Sequence, residues 1–164
     1  MKSKHKLIIS ALVAVLLMLS ASVNGQVHRY FAPGSVMFVA DDPNMGTWKL
    51  NEAKSKFSPG AAKNNTVVYE AAGDMVKVTV DGIDGAGNPT HNEWTGKFDG
   101  KYYAVTGDAT SDMRSYRRIN SHTLALTAKK GGKIVLTGRI AVSRDGKTRT
   151  VTTSGTNAKG KRVQ

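Results

Sequence analysis

The sequence predicts an all-β domain, an antiparallel up-and-down meander of about eight strands closing into a barrel. Three observations carry this prediction. Short segments alternate apolar and polar residues with a period of two, most plainly Val76, Val78 and Val80 against Lys77, Thr79 and Asp81. Gly-, Asn- and Asp-rich turns separate them and are too short for parallel crossovers, so neighbours in sequence pair as hairpins. From Gly46 onward helical periodicity is almost absent, and a meander removes its vulnerable edges most simply by closing on itself.

Before the strands come two segments of different character. Lys2, Lys4, His5 and Lys6 precede an apolar run from Leu7 to Leu19, and Ser20-Ala21-Ser22-Val23-Asn24-Gly25 follows. That is the layout of a secretory signal peptide over residues 1–25, cleaved after Gly25 or, as second choice, after Ala40. A run of 13 residues, interrupted only by Ser10, falls short of the about 20 that cross a bilayer, so no transmembrane span is expected once the leader is removed. The predicted location is the periplasm or the extracellular space. Residues 26–44 mix Tyr30, Phe31, Pro33 and Gly34 with the turn cluster Asp41-Asp42-Pro43-Asn44 and form a spacer ahead of the barrel domain, residues 45–164.

Within that domain the strands follow in order. Thr47 to Asn51 places Trp48 and Leu50 on one face. Thr66 to Ala72 and Met75 to Asp81 are joined by the hairpin signal Ala72-Gly73-Asp74, and Gly82 to Pro89 is a loop. Thr90 to Phe98 puts Trp94, Gly96 and Phe98 together, and Asp99-Gly100 turns it into Lys101 to Val105. Met113 to Ile119, Thr123 to Ala128, Lys133 to Ser143 and Lys147 to Ser154 complete the series. The inner wall then takes Val67, Tyr69, Val76, Val78, Val80, Trp94, Phe98, Leu124, Leu126, Ile134, Leu136 and Ile140.

Composition excludes several functions. The 164 residues contain no Cys, which rules out disulfide scaffolds, Cys-ligated zinc or iron–sulfur centres, and a lipid-anchored lipoprotein. The length suits one domain, because a chain of about 150 residues buries roughly 70% of its unfolded surface and two half-sized cores would bury less. Lys and Arg number 24 against 12 Asp and Glu; three of the lysines lie in the leader, leaving 21 basic residues and a net charge of +9. The surplus is polarised. Gln26 to Met113 carries 8 basic and 11 acidic residues, whereas Arg114 to Gln164 carries 13 basic residues and only Asp145. Such a half attracts anionic partners, an envelope glycan or lipid headgroups in an exported protein, or simply keeps the surface solvated.

Several motifs resemble a family of small secreted bacterial proteins with a lipocalin-like barrel and uncharacterised function. They are Gly46-Thr47-Trp48-Lys49-Leu50-Asn51, Lys54-Ser55-Lys56-Phe57, Phe98-Asp99-Gly100-Lys101, Val105-Thr106-Gly107 and Val142-Ser143-Arg144-Asp145-Gly146-Lys147-Thr148, in that order. The resemblance covers about residues 45 to 160 and implies a barrel with an internal cavity. It assigns Gly46 and Trp48 structural roles, Trp48 as a plug at the barrel floor. Members of that family continue into a further strand after Gly155-Thr156-Asn157-Ala158-Lys159-Gly160, so the expected barrel lacks its last strand and keeps an open edge.

Catalytic signatures are weak. His91 and Glu93 share a strand face opposite Trp94 and read as a surface pair in place of metal ligands, and no His sits in a nucleophile elbow or a His-Glu-x-x-His run. Asp74, Asp81, Asp84, Asp99, Asp108 and Asp145 read as turn residues. No enzyme activity, cofactor or metal is therefore predicted. Arg114, Tyr116 and Arg118 interleave charge with one aromatic on a strand face, but export and the lone Tyr argue against nucleic acid.

Binding is the stronger expectation: an exported protein holding a small, partly apolar and anionic molecule in its cavity. If Met113, Ser115, Arg117 and Ile119 face inward, Arg117 with Ser115 anchors the anionic head and Tyr69 with Trp94 packs the body. A register shifted by one turns Tyr116 inward and leaves Arg117 in solvent. The alternative function is a non-enzymatic cell-envelope interaction protein that uses the cationic surface or an exposed strand edge.

Overall fold

The computed structural model describes residues 42–156 and 162–163. The expected leader and residues 26–41 of the expected spacer lie outside them. Nine antiparallel strands run up and down in a nearly closed barrel with one unsealed seam. They are β1 (Gly46–Lys49), β2 (Lys63–Ala72), β3 (Met75–Ile83), β4 (Pro89–Gly96), β5 (Tyr103–Thr106), β6 (Met113–Asn120), β7 (Thr123–Lys130), β8 (Lys133–Val142) and β9 (Arg149–Thr156). A two-residue β10 (Arg162–Val163) pairs antiparallel with Thr156 and Gly155 of β9. Each strand pairs with its neighbours in sequence, and the order β1 to β10 contains no crossover.

Inward rows explain how the interior is filled. Across the first half, Tyr69, Val78, Trp94 and Val105 stand opposite one another on β2 to β5 and all are buried. Tyr116 on β6 and Phe98 join them. Trp94 meets Tyr116 edge-on at 4.7 Å, stacks on Phe98 at 6.5 Å and meets Tyr103 edge-on at 5.7 Å. Edge-on and stacked rings add about 0.5–1.5 kcal/mol per pair to the burial itself. Gly96 makes the arrangement possible, because a Cβ there would stand 2.6 Å from both the Trp94 and Tyr103 rings. Gly46 starts β1 at φ +98°, a conformation that other residues seldom adopt.

The second half tapers. The row that begins at Tyr116 continues through Leu126 and Gly138 to Thr153, so bulk declines from β6 to β9. Leu126 and Leu136 are only partly buried, and Val151, on the inner face of β9, is 44% exposed. The interior is thus an aromatic wedge on β2–β6, whereas the inner faces of β7–β9 carry the less covered Leu126, Leu136 and Val151.

Several sequence expectations need correction. Ile134 is not a wall residue: it is 59% exposed. Between Ala128 and Lys129 the β7–β8 register shifts, with Ala128 opposite Leu136 but Lys129 opposite Ile134. Val135 is therefore an extra residue, and this bulge turns Ile134 to the outer face with Lys129. A second shift, between Arg118 and Asn120, leaves Ile119 bulged out and 45% exposed. The expected loop from Gly82 to Pro89 is shorter, because β3 and β4 continue to Ile83 and Pro89 and Asp84 closes the turn by accepting from the amides of Ala86 and Asn88. Finally, Asp42 and Asn44 at the end of the spacer are buried and belong to the barrel's packing.

Candidate ligand site at one barrel end

The β6 register decides which cations face inward. Arg114 and Tyr116 are buried, Arg118 is partly buried and Arg117 is exposed. Arg117 thus points outward beside Asp99, its bridge partner, and is not an inner anchor. Met113 and Ile119 do not mark an inner face, since Ile119 is bulged. Ser115 is buried, but on the face opposite Tyr116. Tyr69 and Trp94 lie inside as expected, packed into the aromatic wedge. With Arg114, Tyr116 and Arg118 turned inward, they form no stacking platform on the surface.

Arg114 is fully provided with partners. Its Nη2 donates to Asn92 Oδ1 at 3.1 Å and to Asp108 Oδ2 at 3.0 Å, and Trp94 Nε1 donates to its carbonyl at 3.0 Å. Asp108 also accepts from the hydroxyls of Ser111 and Thr110 and from the Thr110 amide. Burial pushes its carboxyl up, but these hydrogen bonds and Arg114 outweigh that and leave it below the usual carboxylate range. Asp108 is thus a half-buried ion-pair partner as well as a turn residue. Asp84, Asp99 and Asp145 do act as turn acceptors, whereas Asp81 pairs with the exposed His91 at 2.7 Å.

The opposite end is different. There the residues before β1, the segment after β4, the β6–β7 turn and the β8–β9 turn come together. Arg118 donates to Asp42 Oδ2, and its guanidinium lies 5.3 Å from the centre of the Phe98 ring. Arg149, the first residue of β9, donates from Nη2 to Tyr69 Oη at 2.5 Å and lies 4.9 Å over the Tyr69 ring. Tyr69 and Phe98 themselves touch edge-on at 6.4 Å, so the two arginines sit on adjacent rings. His122 belongs to the same end: its carbonyl accepts from the Val142 amide, and Val142 pairs with Arg149. Trp48, half-buried, donates from Nε1 to the Asn44 carbonyl at 2.9 Å and helps close this end.

Charge and hydrogen bonding are unbalanced here. Among the described residues Arg149 has no carboxylate within ion-pair reach. Tyr69 does not supply a negative charge either, because burial, with Tyr116 adding to it, pushes the phenol far above its ordinary range despite Arg149 nearby. Arg118 Nη1, His122 Nδ1, Arg149 Nε and Asn44 Oδ1 are buried without a hydrogen-bond partner among the described residues, against one such atom, Asp112 Oδ1, at the Arg114 end. Buried polar atoms are nearly always paired, so four orphans at one end mark a place where a polar group is accommodated. The sequence places Arg118 only in a face with Arg114 and Tyr116 and Asp42 only in a spacer turn, and it assigns His122 and Arg149 no role. Arg149 was accessible to it, since it shares the β9 alternation with Val151, whereas Asp42 and Arg118 lie 76 residues apart and no local pattern joins them.

No protein-family model, curated protein or solved structure matches the chain.

Proposed function

We propose that the protein binds a small, partly apolar anion inside its barrel, without catalysing a reaction. The observation that carries this is the set of unpartnered buried nitrogens on Arg118, His122 and Arg149 at one end. A carboxylate or similar oxyanion supplies acceptors to such donors and offsets the desolvated charge of Arg149. The apolar body of the ligand lies along the inner faces of β7 to β9, against Leu126, Leu136 and Val151. Signal-like residues 1–25 and the motif resemblance to small secreted barrels support an exported binding protein.

Titration with dodecanoate tests the proposal. Arg149→Ala is expected to weaken binding at least tenfold, while Arg117→Ala, on the outer face, leaves it unchanged. Equal affinities for the wild type and Arg149→Ala overturn the anion site. Mass spectrometry of small molecules that co-purify with the protein identifies the natural ligand.

A further inference from the structure

We infer that the seam between β1 and β9 accepts an extended segment of a second polypeptide chain, antiparallel to both edges, with alternating apolar and acidic residues. The argument starts from strand direction. In a strictly alternating meander β1 and β9 run the same way, so they cannot form an antiparallel pair with each other, whereas one strand between them pairs antiparallel with both. β10 already occupies that position, antiparallel to β9, but covers only Gly155 and Thr156. Among the described residues nothing pairs with Arg149 to Thr153 on the edge away from β8, or with β1 on the edge away from β2. Exposed backbone donors and acceptors of this kind are a template for strand addition.

Side chains flanking the seam specify the occupant. On its inner side stand the half-buried Trp48 and the exposed Val151, which favour apolar residues. On its outer side, by strand alternation, stand Lys49 beside Trp48 and Arg139 beside Ile140, both exposed, with Thr150 and Thr152 between. Lys49 and Arg139 are the outward charges beside this edge, and the segment from Arg114 to Gln164 carries a single acid, Asp145, so acidic outward residues complement the edge. A basic or neutral strand lacks that attraction.

The test uses the full chain and an eight-residue peptide alternating glutamate and valine, followed by fluorescence anisotropy. Two controls accompany it: the same peptide N-methylated at alternate amides, and one with lysine replacing glutamate. Strand addition predicts binding of the first peptide and at least tenfold weaker binding of both controls. If the N-methylated peptide binds as well as its parent, simple charge attraction explains the contact and the inference is overturned. Failure of the parent peptide to bind also overturns it, as does sedimentation of the free protein as a dimer, which would make a second copy the occupant.

Discussion

Arg149 Nη2 reaches across the barrel to Tyr69 Oη, 80 residues back along the chain, and its guanidinium covers the same ring. This contact links the start of β9 to β2, next to the unsealed edge, where no backbone ladder does so. Tyr69→Phe keeps the ring and deletes the acceptor. The substitution is expected to cost about 1.5–3 kcal/mol, the range for hydrogen bonds to charged groups. In urea the midpoint falls while the slope stays constant. An unchanged midpoint would show that the bond contributes nothing to the fold.

Asp42 collects the Asn44 amide at 2.8 Å, the Asn44 side-chain nitrogen at 2.9 Å and Arg118 on one carboxylate. Asp42→Asn removes the charge that Arg118 faces and disorganises the bonds that hold Asn44. A destabilisation of about 1–3 kcal/mol is expected. Since the Asn44 carbonyl anchors Trp48, acrylamide should quench Trp48 more strongly in the variant, while Trp94, 1% exposed, stays silent. Unchanged quenching would mean that Trp48 is held independently of Asp42.

The Asp108 network gives a pH dependence of known sign. In the folded protein its carboxyl lies below the usual range, despite burial, because of Ser111, Thr110 and Arg114. Its stabilising contribution is therefore full above the unfolded value of about 3.9 and is lost as pH falls through the folded value. The wild type should lose stability below about pH 4 more steeply than Asp108→Asn, which lacks the contribution at every pH. Parallel stability curves for the two proteins would refute the assignment.

The β8 bulge separates two isoleucines that sequence alone treats alike. Ile134→Lys is expected to change stability by no more than about 0.5 kcal/mol, as for a surface site. Ile140→Ala, at 1% exposure, should cost about 2–5 kcal/mol. Equal costs, measured by thermal or urea unfolding, would place Ile134 in the core after all.

Strand order and most of the inner wall were legible because hairpin turns and period-two alternation are local signals. Val76, Val78, Val80 and Trp94 follow from them directly. Bulges are not local in the same sense: Val135 and Ile119 become extra residues only through pairing with a neighbouring strand, and each reverses or disturbs the faces around it. For β6 this decided the site, since choosing between Arg117 and Arg118 requires knowing which of two plausible registers the barrel selects. The partners Asp42 and Tyr69 were invisible for another reason. They meet Arg118 and Arg149 only after the sheet curls, when residues remote in sequence share one end.

The crossover-free strand order has a kinetic consequence. Every backbone pairing joins neighbours in sequence, so closing each ladder requires only a short loop, and hairpins can form in succession as the polypeptide emerges. The side-chain bonds Arg118–Asp42 and Arg149–Tyr69 reach much further, spanning 76 and 80 residues. They assemble after β6 and β9, late in synthesis, so the arginine-lined end is the last part of the barrel to mature.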